Sequence, residues 1–227
     1  MPTMTSSSSV SKELYSYTAC DISDALLKLG VPFAGFLADL KSYTSSPSHP
    51  LIAPVSTVQF LSKNDTDTHK SSNIPKDSHW VDLTTPSSIV IISQPSGQRN
   101  AVLGGIMALR IAKLGALGVI VDGRIRDIKE LEATKLPIWA KGTSTVGAGA
   151  ESKPYFVNGG VLVEGVEIWP GDVAFCDDSG VVVIPQKSVT AVVELLPKIV
   201  GADDKVKADV EAGVSVKEAF KKHRSNL

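Results

Sequence analysis

The chain has 227 residues, 23 basic and 24 acidic side chains, a formal net charge of −1 and 43% hydrophobic residues. That length suits one compact domain with appendages, and that charge balance excludes a polybasic nucleic-acid surface or membrane patch. No apolar stretch reaches the ~18 residues of a membrane span, and the opening "MPTMTSSSSVSKEL" lacks the basic start and apolar run of a secretory signal.

Residues 1–10 read as a disordered tail, and 11–227 as one α/β domain with C-terminal helices from about 187. "SKELYSYTACDISDALLKLG" carries Ile22, Ala25, Leu26 and Leu29 at helical spacing, with Thr18 or Asp21 as cap and Gly30 as stop. Cys20 and Cys176 are far apart in apolar surroundings and read as reduced core residues of a cytoplasmic protein. The final "SNL" differs from a peroxisomal address in its middle residue, which leaves cytoplasm as the default.

"KSYTSSPSHP" (41–50) is a loop and "LIAPVSTVQFL" (51–61) a strand. The polar stretch 62–80 is long enough to be a lid. "SSIVIISQP" (87–95) reads as a buried strand, 106–114 as a helix with Arg110 and Lys113 outward, and 118–121 as an apolar strand. Residues 127–135 are helical and "LPIWAKG" is another strand. The glycine-rich 143–152 lacks a phosphate-loop lysine pattern and reads as a flexible loop. "GGVLVEGVEIWPGDVAFCDDSGVVVIP" gives three short strands with turns at 164–165, 170–171 and 178–180, a meander or second sheet. Trp139 and Trp169 read as core, Asp177–Asp178 as a hairpin turn, and Asp122 as the strand-to-turn transition.

The chemistry concentrates in "GRIRDIKELEATKLP" (123–137), where a buried strand delivers charge to its carboxyl end. Asp127 and Glu130 are three residues apart on one helix face, with Arg126 just before them. Gly104–Gly105 opens the preceding helix, where free amides attract anions and the missing side chains let a ligand approach. One helix and one strand separate Gly105 from Arg126, so a carboxylate could lie between the Ile106 and Met107 amides and the Arg126 guanidinium. A hard cation on Asp127 would sit beside it. The plain alternative is an acidic first turn favoured by the helix dipole, with Arg126 paired to Glu130 on a solvated face.

"GVIVDGRIRDIKELEATKLPIWAKGTST" resembles the signature region of the RraA-like family, which includes the regulator of ribonuclease activity A and the class II 4-hydroxy-4-methyl-2-oxoglutarate (HMG) aldolases. "TACDISDALLKLG" and "VEIWPGDVAFCDDSGVVVIP" resemble further blocks of it, so the likeness spans residues 17 to about 220. The resemblance implies an RraA-like swivelling α/β/β sandwich, a single domain with a helical C-terminal extension. It implies that Arg126 binds the substrate carboxylate, that Asp127 holds Mg²⁺ or Mn²⁺ largely through water with Glu130 in support, and that Gly104, Gly105, Ile106 and Met107 offer amides to a pyruvate moiety.

The implied reactions are retro-aldol cleavage of HMG-type 2-oxo acids and decarboxylation of oxaloacetate, both through a pyruvate enolate. Aldolases of the family often carry an acid where this chain has Gly105, which bears on the retro-aldol step more than on decarboxylation. The family also borrows an acid from a neighbouring subunit's C-terminal region. Asp203 is the nearest match here and Asp204 the second, which implies a homotrimer or hexamer. The other branch of the family implies a non-enzymatic ribonuclease-regulator-like binding protein. His49, His69, His79 and His223 all lie away from the Gly-Gly and Arg-Asp region, which argues against phosphohistidine chemistry. Lys141 is a Schiff-base candidate that the metal-type motif makes unnecessary.

Overall fold

A computed structural model describes residues 13–44, 48–65 and 71–225. The serine-rich start read as a disordered tail, part of the 62–80 loop and the end of the chain lie outside the described residues. Helix α1 (Ala19–Lys28) begins as its sequence dictates. Thr18 accepts from the Asp21 amide and Asp21 answers to the Thr18 amide, a reciprocal capping box. Gly30, at φ 69°, turns the chain out of the helix.

The sheet has the strand order β1-β5-β4-β3-β2-β9-β10, with β6 also on β2. Its members are β1 (Lys41–Ser42), β2 (Leu51–Ser62), β3 (Ile89–Ser93), β4 (Gly118–Ile125), β5 (Ile138–Thr143), β6 (Ser152–Val157), β9 (Val173–Asp177) and β10 (Gly180–Ile184). β2, β3, β4 and β5 pair in parallel. That explains the unbroken "IVII" and "GVIV" runs, since a parallel sheet is covered on both faces. β7 (Val161–Val163) and β8 (Val166–Ile168) form a separate two-stranded hairpin.

Three apolar layers follow. Helices α2 (Gly105–Lys113) and α3 (Ile128–Ala133) cover one face, with Val90, Ile92, Val119, Val121, Ala108, Ile111 and Leu131 at the contact. On the other face Ile89, Ile91, Ile120 and Trp139 meet Val161, Val163, Val166 and Ile168 of the hairpin. Helix α1 and the long α4 (Val189–Glu211) pack on β9 and β10 through Ile22, Leu26, Phe175, Val182, Val192 and Leu196. Helix α5 (Val216–His223) closes the described chain, capped by Ser215. No helix among the described residues is long and apolar enough to cross a membrane.

The structure departs from the sequence reading in several places. The 161–184 region holds four strands linked by its three turns: β7–β8 form the second, two-stranded sheet, whereas β9–β10 extend the main sheet. β4 does not end at Val121 but runs through Asp122 to Ile125, with a bulge between Val121 and Arg124. Asp122 is therefore a buried strand residue and not a turn former. Residues 143–152 are not a loose loop: they carry a short 3-10 turn (Ala148–Ala150) and lead into β6. The described part of the 62–80 segment is tied down, with Asn73 exchanging side-chain hydrogen bonds with the Val157 backbone at 2.6 and 2.9 Å. Trp139 is core, but Trp169 is 54% exposed, its indole donating to Glu167.

The cysteines split as well. Cys176 lies in β9, fully buried, and burial followed by the charge of Asp177 pushes its thiol far up. Cys20 is exposed on α1, because its helical neighbours Ala19 and Ile22 take the inward positions. A thiol-specific chromogenic reagent should therefore titrate one thiol per native chain and two in denaturant. Two thiols reacting rapidly in the native state would contradict the buried placement of Cys176.

Candidate functional site

Three segments converge where β4 ends. The first is the 101–105 stretch, which lies beside β4 through Val102 N donating to Arg124 O at 2.9 Å and Arg126 N donating to Leu103 O at 3.0 Å. The second is Arg126–Glu130. The third is the 144–150 turn, held by Ala101 N donating to Val146 O at 2.8 Å and Ser144 N donating to Ile125 O at 2.9 Å. Together they enclose a cleft of about 130 Å³ lined by Gly104, Gly105, Met107, Arg126, Asp127 and Ala148 among others.

Asp127 adopts φ 61°, ψ 44°, the left-handed region that a non-glycine residue enters only at a cost. The turn sends its carboxylate back across the cleft, where Oδ2 accepts from the Gly105 amide at 3.2 Å. The same oxygen lies 3.4 Å from Arg126 Nε. Helix α2 has no side-chain cap, and its first helical bond is Ala108 N to Gly104 O at 3.0 Å. The Ile106 and Met107 amides are thus left at the positive end of the helix. Arg126 and Asp127 are 44% and 38% exposed, so both groups are open to a ligand.

Close approach explains the glycines. A Cβ on Gly104 would lie 2.8 Å from Asp127 Oδ2 and 3.1 Å from Arg126 Nε. A Cβ on Gly147 would lie 3.1 Å from Arg126 Nη1, so the guanidinium runs over the 144–150 turn. A Cβ on Gly105 would overlap Glu130 Oε2 and stand 2.6 Å from Glu130 Cβ. The Glu130 carboxylate therefore fills the space that a side chain at 105 would take. Gly147 and Ala148 had no signal in the sequence beyond a glycine-rich composition, which by itself reads as flexibility.

Behind the cleft lies a polar network. Gln94 Oε1 accepts from Arg124 N at 2.9 Å, and Gln94 Nε2 donates to Asn100 O at 2.8 Å. Fully buried Asn100 donates to Ser152 Oγ at 2.8 Å and Ala148 O at 3.2 Å. These bonds tie together the ends of β3 and β4, the approach to α2 and the 144–150 turn.

The remaining candidates are not brought to this cleft. Asp203 is held by Arg224 through two hydrogen bonds of 2.6 and 2.5 Å on the α4–α5 pair, and Asp204 lies 3.5 Å from Lys207. Lys141 is flanked by Asp122 and Glu164. Burial pulls its ammonium down, but the two carboxylates beside it outweigh that and hold the pKa above the ordinary value, the wrong direction for a Schiff-base nucleophile. His79 caps a 3-10 turn and His223 pairs with Asp209, whereas His69 lies outside the described residues. Among the described residues no group of three or more His, Cys, Asp or Glu side chains is placed to hold a metal. The oxygens of Asp127 and Glu130 are the hard donors present, which suits Mg²⁺ or Mn²⁺ retaining most of its water.

The Gly105–Glu130 contact is testable. Gly105→Ala should destabilise the fold by about 1–3 kcal/mol through overpacking. Glu130→Gly in the same chain removes the obstructing side chain, so the double variant should lose less than the sum of the two single variants in chemical denaturation. Additive losses would show that the contact is not made in solution.

Known proteins resemble this chain in sequence and fold. A family model described as RraA-like, Aldolase/RraA, matches residues 19–183. Protein DlpA of Legionella pneumophila is 26% identical over 216 residues, which is 92% of this chain but 32% of that protein. A Halalkalibacterium halodurans protein named "Putative 4-hydroxy-4-methyl-2-oxoglutarate aldolase" is 33% identical over 102 residues, 45% of this chain and 48% of its own length. The chain thus spans half or less of the length of these two relatives. The solved structure of Streptomyces coelicolor RraAS2, described as an unusual member of the RNase ES inhibitor RraA family, superposes with a TM-score of 0.70. It is 21% identical and covers 94% of this chain and all of that one.

Proposed function

The chain belongs to the RraA-like family, and we propose that it cleaves carbon–carbon bonds next to a 2-oxo acid and releases pyruvate. One observation carries the reading. Asp127 is held in a left-handed turn with its carboxylate on the Gly105 amide, beside an accessible Arg126 guanidinium. Backbone strain of that kind persists where the surroundings over-determine it, and it concentrates at working sites.

In this reading Arg126 takes the carboxylate of the 2-oxo acid with its open guanidinium edge, a charge-assisted contact. The Ile106 and Met107 amides receive the opposite side of the pyruvate moiety at the positive end of α2. Asp127, with Glu130 in support, would hold a Mg²⁺ or Mn²⁺ ion, which when bound supplies Lewis-acid polarisation of the 2-oxo carbonyl. For an HMG-type substrate, a base removes the 4-hydroxyl proton, the C3–C4 bond breaks, and the pyruvate enolate left behind is protonated at C3. Glu130 suits the base role through a water, because its carboxylate occupies the place of an acid at position 105. Oxaloacetate loses CO₂ to give the same enolate and needs no such base. The absence of an acid at Gly105 therefore does not by itself confine the chain to decarboxylation.

The cleft of about 130 Å³ encloses only a pyruvate-sized group. The rest of a dicarboxylate substrate would need a further wall. In this reading a neighbouring copy in a homotrimer or hexamer supplies it, with Asp203 brought in from the partner's C-terminal helices alongside its Arg224.

The experiment is pyruvate release from HMG and from oxaloacetate, with Mg²⁺ and then with EDTA. Asp127→Ala should lower kcat/KM at least ~100-fold on both substrates, and Arg126→Ala should act mainly by raising KM. Glu130→Gln should depress HMG cleavage far more than oxaloacetate decarboxylation. Turnover that survives EDTA and Asp127→Ala would sink the reading. Absence of any turnover would shift it to a ribonuclease-regulator-like binding protein.

A further inference from the structure

The sheet has a second cavity apart from the Arg126–Asp127 cleft. It is a hollow of about 570 Å³ at the carboxyl ends of β3, β4 and β5, roofed by the tip of the β7–β8 hairpin. Asp122 and Arg124 of β4, Lys141 of β5 and Glu164 of the hairpin turn all line it. A volume of this size is in the ordinary range for a small-molecule site.

The charges inside it are unequal in how firmly they are fixed. Asp122 is on a central strand with its side chain 9% exposed, and its Oδ1 lies 2.5 Å from Lys141 Nζ. That oxygen has no hydrogen-bond partner of good geometry among the described residues. Burial raises the Asp122 pKa, with Lys141 pulling against it. Lys141 is thus the counter-ion of a buried carboxylate. Glu164 is the looser partner of Lys141. It is 42% exposed, belongs to a hairpin outside the main sheet, and sits at φ 47° in the turn. Arg124 is a second cation in the same hollow. One of its nitrogens donates to Thr143 O at 3.0 Å, and its other N–H groups have no partner among the described residues. Leu61 and Leu162 add apolar wall.

We infer that this hollow is a second ligand site, for a small dicarboxylate, in which Glu164 occupies Lys141 until a ligand carboxylate displaces it. One carboxylate of the ligand pairs with Lys141 beside Asp122, the other reaches Arg124, and the short carbon skeleton lies against Leu61 and Leu162. The site is separate from the cleft proposed for catalysis, and it does not depend on that proposal.

Succinate is the probe, since it has two carboxylates and no 2-oxo group. Calorimetric titration should give a binding isotherm that persists in Arg126→Ala, which empties the other cleft of its anion-binding side chain. Lys141→Met and Arg124→Ala should each weaken binding roughly ten-fold or more, the loss of one charge-assisted contact. Arg124 is exposed, so its variant answers the question even where Lys141→Met folds poorly. Glu164→Gln should tighten binding, because it removes the internal competitor. A tightened isotherm in Glu164→Gln alone, with wild type too weak to measure, also supports the displacement. Binding lost in Arg126→Ala, unchanged in Arg124→Ala, or absent in both wild type and Glu164→Gln would overturn it.

Discussion

The start of α2 lies against the Arg126–Glu130 turn with no room for a side chain on Gly104 or Gly105. That contact sets the rest of the site. Because the backbones meet, the Gly105 amide can reach Asp127, and because Asp127 is turned into the left-handed region, its carboxylate faces the amide instead of solvent. Arg126 is then bracketed by Gly104 on one side and Gly147 on the other. A helix end, a strand end and a crossing turn are each ordinary alone. Their convergence at glycine distance puts a cation, a carboxylate and free amides within one small cleft.

The sheet carries polar chemistry on both faces of the same strand end. Toward the helices, Arg126 and Asp127 are partly exposed and available to a ligand. Toward the hairpin, Asp122 and Lys141 are more deeply set, and their charges are largely spent on each other. Burying such a pair costs several kcal/mol per ion before the attraction offsets it, so apolar residues would stabilise β4 and β5 at least as well. The bulge between Val121 and Arg124 makes the change possible. It ends the apolar run shared with β3 and β5 and re-aims the side chains that follow, as bulges beside sites often do. The Gln94–Asn100–Ser152 network then fixes the loops around this disturbed strand end, supplying the partners that buried backbone groups there would otherwise lack.

Much of this was legible in the sequence, and the reasons differ by element. Unbroken β-branched runs identify β3 and β4, because a strand buried on both faces leaves no alternation to misread. Gly105, Arg126, Asp127 and Glu130 were legible because their spacing brings a helix start back to a strand end. The position of Glu130 in the space beside Gly105 was not, since spacing says which residues share a face but not whose volume is missing. Asp122 was misread because a "DG" pair normally turns the chain, whereas here the parallel pairing with Ser93 of β3 keeps it in the strand. Residues 143–152 were misread for a related reason. Gly147 there serves close packing over Arg126 rather than flexibility, and composition cannot separate the two. Cys20 shows the limit of apolar context: Ala19 and Ile22 face inward on α1, and Cys20 beside Ala19 faces water.

The substitution of one acid for another bears on how such a site can vary. An acid at 105 would project from the first turn of α2, and Glu130 projects from the first turn of α3 into the same space. The two cannot coexist without a shift, because a Cβ at 105 already overlaps the Glu130 carboxylate. With glycine at 105, the Glu130 carboxylate has the space that it takes here. A longer side chain from α3 reaches the cleft with more rotatable bonds than an aspartate on α2 would have, and so holds its carboxylate less rigidly. The packing of Glu130 against the bare α2 backbone offsets part of that freedom, which makes the absence of a side chain at Gly105 a positioning element in its own right.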